Sequence, residues 1–290
     1  MYYKLLKTTK PLLLRFPLLV MVYRFLQFNR FFFKFMKKTP MGFNFIGFRN
    51  MQDCSYEADE VKIITNRLEE TDVFINIGAN IGYYCCIALM LGKHTIAFEP
   101  IDANLRYLYK NIVANNFKNI EVFPIALTNR IGLLEIYGGG ARASLVKGWA
   151  DTPEQCKRFV PVSTIDNILQ NRLIGKKCFI LVDIEGAEYE MLNGAKTLLN
   201  SEPKPIWMIE IFVTGEQPKG VNINPHLLPT FQKFWENGYE AWTASKYPVR
   251  VNKEEINKIC KTGENTLKTS NFIFVESGKN YPWDQNHSIA

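Results

Sequence analysis

Carboxylate side chains that could carry out proton transfer are concentrated in one short stretch, L-V-D-I-E-G-A-E at residues 181–188. An apolar run ends there in Asp183, Glu185 and Glu188, and acids so close together need cations, hydrogen-bond donors or a raised pKa. Glu188 is explained by a favourable charge in the first turn of a following helix. Asp183 and Glu185 are therefore the candidate general bases, and Glu210 places a further acid at the end of the next apolar run.

A glycine-rich turn, I-N-I-G-A-N-I-G-Y starting at residue 75, follows an earlier apolar run. Gly78 permits a tight turn, and Gly82 lets the backbone pass close to a ligand at a helix N-terminus. A dinucleotide fingerprint beginning at Gly78 requires glycine at the positions of Asn80 and Tyr83. The spacing therefore disfavours a pyrophosphate site.

Glu99 ends the segment T-I-A-F-E-P, at the distance from the turn where a ribose-binding carboxylate is expected. A carboxylate there can accept hydrogen bonds from both ribose hydroxyls. An isolated F-E-P segment would only indicate a surface glutamate before a proline turn. Its place after the glycine-rich turn favours the ligand-binding interpretation.

Short apolar runs alternate with helical patterns, which predicts βαβ units and a parallel sheet. Asp102 is predicted as the N-cap of the second helix. The predicted strands are 73–77, 95–99, 120–125, 133–137, 158–163, 178–184, 205–212, 238–243 and 271–275. The predicted helices are 81–91, 102–116, 188–200 and 254–261.

The net charge of +7 comes from the N-terminal segment. Residues 1–50 contain ten Lys or Arg and no Asp or Glu, so the other 240 residues carry 25 basic and 28 acidic groups. A basic groove for nucleic acid is therefore not implied. The six cysteines show no C-x-x-C spacing, which favours reduced thiols in a cytoplasmic protein over disulfides or a zinc site.

The composition predicts an N-terminal extension, residues 1–54, followed by one catalytic domain, residues 55–290. Within 11–36 the longest uncharged apolar stretch, 16–23, is eight residues, whereas a membrane-spanning helix needs about 20. The aromatic and basic composition is typical of a segment lying at an anionic membrane surface. The alternative is a helical lid packed on the catalytic domain.

Together these motifs resemble the FkbM family of S-adenosylmethionine-dependent methyltransferases. The resemblance rests on I-N-I-G-A-N-I-G-Y, A-F-E-P, S-T-I-D at 163–166 and V-D-I-E-G-A-E-Y-E-M-L-N-G-A, and it spans residues 55–245. It implies a Rossmann-like, mostly parallel sheet of seven strands with helices on both faces. It also implies O-methylation of a hydroxyl on a sugar, a glycan, which can be lipid-linked, or a small natural product.

The resemblance also assigns residues to the cofactor. The methionine part of S-adenosylmethionine is expected along Asn76, Gly78, Ala79, Asn80 and Gly82. Glu99 is expected at the ribose with Asn104 just beyond it, Ala126 at the adenine, and Asp183 and Glu185 at the methyl-transfer site. Family members usually have Asp at the position of Asn76 and often Lys at that of Leu181.

Methyl transfer to a hydroxyl needs alignment and removal of a proton. His94 precedes a strand, His226 follows a loop and His287 lies in the tail, so Asp183 or Glu185 is the expected base. A divalent metal held by these carboxylates is possible but not expected. Two alternatives remain: a cofactor-binding homologue with impaired catalysis, and a nucleotide-dependent oxidoreductase on a similar sheet.

Overall fold

The N-terminal part of the described chain forms a small hairpin and two helices. The computed structural model describes residues 34–279 and, before them, Leu18, Met21 and Val22. The N-terminal elements are β1 (Lys37–Lys38), β2 (Asn44–Phe45), α1 (Arg49–Gln52) and α2 (Ala58–Glu69). The predicted membrane-contacting or lid segment, residues 1–50, lies outside the described residues over most of its first 33 positions.

The first half of the main sheet alternates strands with helices, as predicted. Its elements are β3 (Val73–Ile77), α3 (Tyr83–Met90), β4 (His94–Phe98), α4 (Asp102–Ala114) and β5 (Ile120–Phe123). Strand β5 is shorter than predicted because Pro124 has no N–H to continue the ladder. The predicted N-cap of α4 was wrong: Ile101 holds that position, and Asp102 is the first helical residue.

A small sheet is inserted between the two halves. It contains β6 (Ala126–Leu127), β7 (Gly132–Tyr137) and β8 (Lys157–Ser163), with β8 in the middle. Between β7 and β8 lie the short 3-10 helices Gly140–Arg142, Trp149–Asp151 and Glu154–Cys156. Helix α5 (Ile165–Leu169) leads back to the main sheet, and Thr164 caps it by accepting from Asn167 N.

The second half completes the main sheet. Its elements are β9 (Cys178–Val182), α6 (Glu188–Asn193), α7 (Lys196–Leu199), β10 (Ile206–Glu210), α8 (Leu227–Glu236), β11 (Tyr239–Thr243), β12 (Arg250–Val251), α9 (Lys253–Thr262) and β13 (Asn271–Glu276). The predicted helix 188–200 divides into α6 and α7 at Gly194. A side chain there would meet the carbonyl oxygen of Thr128 at 2.2 Å, so the helix must end where it touches the small sheet.

Within the described residues the main sheet has the order β12-β11-β13-β10-β9-β3-β4-β5. Neighbouring strands from β10 to β5 are parallel, and β13 runs antiparallel between β10 and β11. The predicted mostly parallel sheet is therefore confirmed, and the two-residue strand β12 extends one edge. The strand order reverses at β3 and β9, where open α/β sheets bind ligands.

Both faces of the sheet are covered. Residues Val73, Ile75 and Ile77 of β3 pack toward α5, α6, α8 and α9. The intervening Phe74 packs toward α2 and α3. This alternation along a fully buried strand is the pattern of a doubly covered parallel sheet.

Residues of the predicted N-terminal extension contribute to this second core. Phe43 and Phe45 are fully buried and pack with Phe74 and Tyr83. No helix among the described residues is long and apolar enough to cross a membrane. The division at residue 54 marks a change in amino-acid composition. The packed core of the domain begins earlier in the chain, at Phe43 or before.

Candidate active site

A cavity lies at the carboxyl ends of β3 and β9, where the strand order reverses. Six of the nine predicted site residues line it: Gly78, Asn80, Glu99, Ala126, Asp183 and Glu185. Asn76, Ala79 and Gly82 do not. The motifs are far apart in sequence, and the parallel sheet brings them together because their strands end at one edge.

Gly78 allows the two central strands to approach each other at this edge. Its φ is +87°, and a side chain on it would meet the carbonyl oxygen of Asp183 at 1.9 Å. The Gly78 and Ala79 N–H groups both donate to the Phe98 carbonyl at 2.9 Å. Only glycine fits, so the turn after β3 lies directly against the turn after β9.

Glu99 is buried and its carboxylate is held by three donors. Oε2 accepts from the Asn80 backbone N–H at 2.7 Å. Oε1 accepts from the Ile101 N–H at 2.8 Å and from Asn104 Nδ2 at 3.1 Å. The carboxylate is therefore fixed between the glycine-rich turn and the start of α4, and it faces the cavity.

An apolar wall and a roof complete the cavity. Ala126 starts β6 and lines the wall beside Ile101, Leu127 and Ile136. The roof is the turn after β7, with Gly140, Ala141, Ala143 and Leu145. Asn104 Nδ2 donates to the Gly140 carbonyl at 3.0 Å, which ties the roof to α4.

The three predicted residues outside the cavity have other neighbours. Asn76 is buried, and its Nδ2 donates to Cys85 Sγ at 3.4 Å. Ala79 packs with Cys85, Ala97 and Leu108. Gly82 has φ +84° and precedes α3, and a side chain on it would meet Leu108 of α4 at 3.2 Å. Gly82 thus allows close helix packing, and its cofactor contact stays a prediction.

Asp183 and Glu210 form a pair at the ends of β9 and β10. Their side chains share a hydrogen bond. The Asp183 side chain lines the cavity and is accessible from it. Burial, followed by the Glu210 and Glu185 charges, raises the pKa of Asp183 well above its usual range. The pair therefore holds a proton between two oxygens, as adjacent carboxylates do when both cannot ionise.

Glu185 is held from two sides in a left-handed backbone conformation, φ +58°. Its Oε2 accepts from Trp149 Nε1 at 2.6 Å, and its carbonyl accepts from Ser144 Oγ at 2.5 Å. Burial raises the pKa of Glu185 to about 7, although the Trp149 hydrogen bond acts in the opposite direction. A carboxyl group that titrates near neutral pH is suited to general base catalysis.

Trp149 determines which residue can follow Glu185. The indole is fully buried, and a side chain on Gly186 would lie 2.4 Å from it. Gly186 N donates to Glu188 Oε1 at 2.9 Å. Burial raises the pKa of Glu188 to about 8. Glu188 therefore supports the turn that presents Glu185, besides opening α6 as predicted.

Two tyrosines extend the polar region next to Asp183. Tyr84 donates a short hydrogen bond to Glu57, and Tyr56 also hydrogen-bonds Glu57. The Asp183 charge contributes to the raised pKa of both tyrosines, after burial and Glu57. This group places hydroxyls and carboxylates beside the site of the predicted base.

The histidines lie where the sequence placed them. His94 starts β4 at the edge opposite the cavity and contacts Glu121 at 3.2 Å. His226 is the N-cap residue of α8 and stacks on Tyr189. His287 is beyond the described residues. Among the residues described, no three His, Cys, Asp or Glu side chains are arranged to hold a metal.

A family model for the methyltransferase FkbM domain matches residues 76–241, more than half of the chain. The chain belongs to the FkbM methyltransferase family. The resemblance drawn from the sequence motifs is therefore confirmed, as are the Rossmann-like fold class and the methyltransferase activity.

A curated relative of this FkbM protein is a hexuronic acid methyltransferase, AglP of Haloferax volcanii. It is 27% identical over 174 residues, which cover 59% of this chain and 68% of the relative. Among solved structures, a methyltransferase FkbM from Methylobacillus flagellatus shares 23% identity over 49% of this chain, with a TM-score of 0.35. This chain covers 33% of the length of that one.

A second similar structure is the O-methyltransferase from Bacillus cereus in complex with SAH. It has a TM-score of 0.42 and 12% identity, and the match covers 78% of this chain and 83% of that one.

The site of this FkbM protein includes residues that the sequence did not predict. Trp149 lies in an irregular segment with no periodic signal. Ser144 is in the same segment. Leu181, where the family often has Lys, is buried beside Phe74 and Met208, so the apolar residue fits its position.

Proposed function

We propose that this protein transfers a methyl group from S-adenosylmethionine to a hydroxyl of a sugar, alone or within a glycan. The single observation that carries the proposal is the meeting of Gly78, Glu99, Asp183 and Glu185 in one cavity at the reversal of strand order. The name of the relative AglP, a hexuronic acid methyltransferase, favours a sugar over other small acceptors.

The cavity residues fit this cofactor chemically. The Glu99 carboxylate is an acceptor held in place by Asn80 and Ile101 N–H groups, as ribose hydroxyls require. Ile101, Ala126 and Leu127 offer the apolar surface that an adenine ring needs. Gly78 lets the turn after β3 lie against the Asp183 carbonyl, which brings the two lining turns together.

The reaction then needs a base at the methyl-transfer site. When bound, S-adenosylmethionine supplies an electrophilic methyl group, which passes to the acceptor oxygen. Glu185, with a pKa of about 7, accepts the hydroxyl proton. Trp149 Nε1 holds the Glu185 carboxylate in position. Asp183 shares its proton with Glu210, so its other carboxyl oxygen is left as a hydrogen-bond acceptor at the cavity.

Isothermal titration of the full chain with S-adenosylmethionine and with NAD tests the cofactor. We expect binding of S-adenosylmethionine alone. Glu99→Ala removes a charged acceptor, and each such hydrogen bond contributes about 1.5–3 kcal/mol, so binding should be lost. Glu121→Gln, a control at the opposite edge of the sheet, should bind as the unmodified chain does. A folded chain that fails to bind S-adenosylmethionine contradicts the proposal.

Turnover tests the acids. Asp183→Ala should lower methyl transfer more than it lowers cofactor affinity, because Asp183 lies at the reacting end of the cavity. Unmethylated glycans from cells lacking the protein serve as acceptors, and mass spectrometry identifies the methylated position. Cofactor binding without methyl transfer to any such glycan would support the impaired homologue instead.

A further inference from the structure

The cavity at the strand ends is smaller than the ligand that the proposed function requires. Its volume is about 50 Å³, whereas sites for small molecules and cofactors measure about 300–1,000 Å³. The adenosine part of S-adenosylmethionine cannot enter unless one wall of the cavity is displaced. The structure therefore has to open before the cofactor binds.

Three sides of the cavity are fixed by the fold. Gly78 lies in a turn that touches the Asp183 carbonyl at the ends of β3 and β9. Glu99 is held by backbone N–H groups on both sides of it. Ala126 and Ile136 belong to the buried core of the small sheet. Displacing any of these sides would break sheet pairing, backbone hydrogen bonds or buried apolar contacts.

The roof turn, residues 138–143, forms a flap with a closed base. Tyr137 N donates to the Ser144 carbonyl at 2.8 Å, and Ser144 N donates to the Tyr137 carbonyl at 3.0 Å. The sequence between them is G-G-G-A-R-A, so Arg142 is the one side chain of the flap that is larger than alanine. Gly138 has φ +83°, and glycine gives the chain at that end of the flap a wide choice of conformations.

The flap is tied to the start of α4 at two points. Asn104 Nδ2 donates to the Gly140 carbonyl at 3.0 Å, in the middle of the flap. Arg158 Nη2 donates to the Gly138 carbonyl at 3.2 Å, and Arg158 Nη1 donates to Asp102 Oδ1 at 2.9 Å. These hydrogen bonds can break without exposing a large apolar side chain. The roof is therefore the wall that can move at the lowest free-energy cost.

Asn104 connects the flap to the proposed ribose carboxylate. Its side chain is buried, and Nδ2 also donates to Glu99 Oε1 at 3.1 Å. One amide group therefore joins Glu99 to the Gly140 carbonyl of the flap. Both hydrogen bonds form together only while the flap is down, so the closed flap and the ordered carboxylate support each other.

We propose that the flap opens to admit S-adenosylmethionine and closes again around it, and that Asn104 is the positioning residue that latches it. The proposal rests on the proposed function for the identity of the ligand. In the closed state Asn104 holds both the flap and Glu99 in place at the cavity. In the open state the Gly140 carbonyl leaves Asn104, and the cavity becomes wide enough for a nucleoside.

Hydrogen exchange of the full chain, free and with S-adenosylhomocysteine, tests the flap. The amides of residues 139–143 should exchange about tenfold more slowly in the complex, because a bound ligand stabilises the closed flap. The amides of Tyr137 and Ser144 should be protected in both states, since they form the paired base. Binding of S-adenosylhomocysteine without slower exchange in the flap overturns the proposal.

Asn104→Ala tests the latch. Without the amide the flap is open more often, so S-adenosylhomocysteine should associate about fivefold faster, the effect of one neutral hydrogen bond. Stopped-flow tryptophan fluorescence measures this rate constant. Faster dissociation with unchanged association would mean that Asn104 only supports Glu99, which overturns the latch. Asn111→Ala is the matched control, because Asn111 is a buried asparagine of the same helix that bonds the Ile46 and Ile81 carbonyls, and it should change neither rate.

Arg158→Gln acts at the other tie of the flap and should raise the association rate constant about twofold. Arg158 is only half-buried, so this variant tests the flap even if Asn104→Ala does not fold, which circular dichroism establishes. An unchanged rate constant in the folded variants overturns the proposal.

A folded, unmodified chain that binds no S-adenosylhomocysteine contradicts the proposed function instead. The latch is then judged on the free protein. Asn104→Ala should speed hydrogen exchange of residues 139–143 there, and unchanged exchange would overturn the latch as well.

Discussion

At the scale of single residues, four carboxylic acids lie close together at the ends of β9 and β10. Burial is the largest cause of the raised pKa of each: Asp183, Glu185, Glu188 and Glu210. No cation pairs directly with them among the contacts described. The carboxyl groups therefore favour their neutral, protonated forms. The pH consequently controls both the charge of the site and part of the free energy of unfolding.

Trp149→Phe should shift the pH dependence of turnover to higher pH. The indole N–H donor lowers the pKa of Glu185, so its removal raises that pKa above about 7. The rate at neutral pH falls because less Glu185 is deprotonated, and raising the pH restores part of it. The measurement is kcat between pH 5 and 9.

Trp207→Phe is the control for this experiment, because Trp207 is equally buried but packs on Phe234 away from the cavity. Its pH profile should match that of the unmodified protein. An equal loss of rate at every pH in Trp149→Phe would mean that the indole has only a packing role.

Glu188→Gln should stabilise the protein at alkaline pH. Burial raises the pKa of Glu188 from 4.5 to about 8, so the folded state favours the protonated form. The stabilisation is complete below pH 4.5 and is lost as the pH rises through 8, a change of a few kcal/mol. Glutamine keeps the acceptor for Gly186 N and carries no charge.

Urea unfolding at pH 5 and pH 9 measures this effect. The two proteins should have similar unfolding free energies at pH 5, and the variant should be the more stable one at pH 9. If the unmodified protein and the variant lost the same unfolding free energy between pH 5 and pH 9, the ionisation of a buried Glu188 would be contradicted.

At the scale of secondary-structure elements, Gly78→Ala should separate the ends of β3 and β9. Its side chain would lie 1.9 Å from the Asp183 carbonyl, and relief of such a clash destabilises by about 1–3 kcal/mol beyond backbone strain. Gly92→Ala is the matched control: φ is +74°, but nothing lies within 4 Å, so only about 1 kcal/mol of strain is expected. Thermal unfolding of both variants measures the difference, and equal effects would contradict a specific close approach.

The elements that the sequence predicted best are those with an uninterrupted local pattern. The predicted range of β3 is the observed one, since an apolar run bounded by Asp72 and Gly78 is unambiguous. The predicted ends of helices and strands were wrong where tertiary contacts determine them. At Gly194, contact with the small sheet ends a helix whose sequence pattern continues to residue 200. Helix α8 was not predicted, because Pro229 interrupts its pattern, although proline is tolerated in a first turn.

The sequence also predicted most of the residues that line the cavity. Residues at strand ends were found because parallel strands bring those ends together. Asn76 and Gly82 belong to the same motif, but their positions relative to the strand and helix direct them to Cys85 and Leu108. Trp149 could not be predicted, because its contact with Glu185 depends on how an irregular segment folds over the sheet.

At the scale of the whole molecule, the N-terminal hairpin is bound firmly to the domain. Asn44 and Asn115 exchange hydrogen bonds, and Asn111 Nδ2 donates to the carbonyls of Ile46 and Ile81. The Phe45 and Tyr83 rings pack edge to face with centroids 5.5 Å apart. Residues 43–46 are therefore part of the folded domain.

Truncation at two positions should give different results. Deletion of residues 1–33 keeps Phe43 and Phe45, so that protein should still fold stably. Deletion of residues 1–50 removes both, and each buried phenylalanine contributes about 3–5 kcal/mol, so that protein should not fold stably. Denaturant unfolding distinguishes the two, and equal stability would contradict the role of the hairpin.

The shorter deletion also tests the proposal that residues 1–50 contact an anionic membrane from the cytoplasmic side, because it removes six of the ten Lys or Arg of that segment. The full chain should co-sediment with vesicles containing phosphatidylglycerol but not with phosphatidylcholine vesicles, since each basic residue adds about 1 kcal/mol at an anionic surface. The deleted protein should remain in solution. Lower turnover with unchanged sedimentation would favour the lid instead.

The hydrogen bond from Trp149 to Glu185 has a thermodynamic consequence. Trp149 lies in the segment between β7 and β8, and residues of the same segment form the roof of the cavity. A ligand that shifts this segment on binding would also change the support of the Glu185 carboxylate. Such coupling is reciprocal, so protonation of Glu185 would alter the affinity of that ligand by the same factor by which the ligand alters the affinity of Glu185 for its proton.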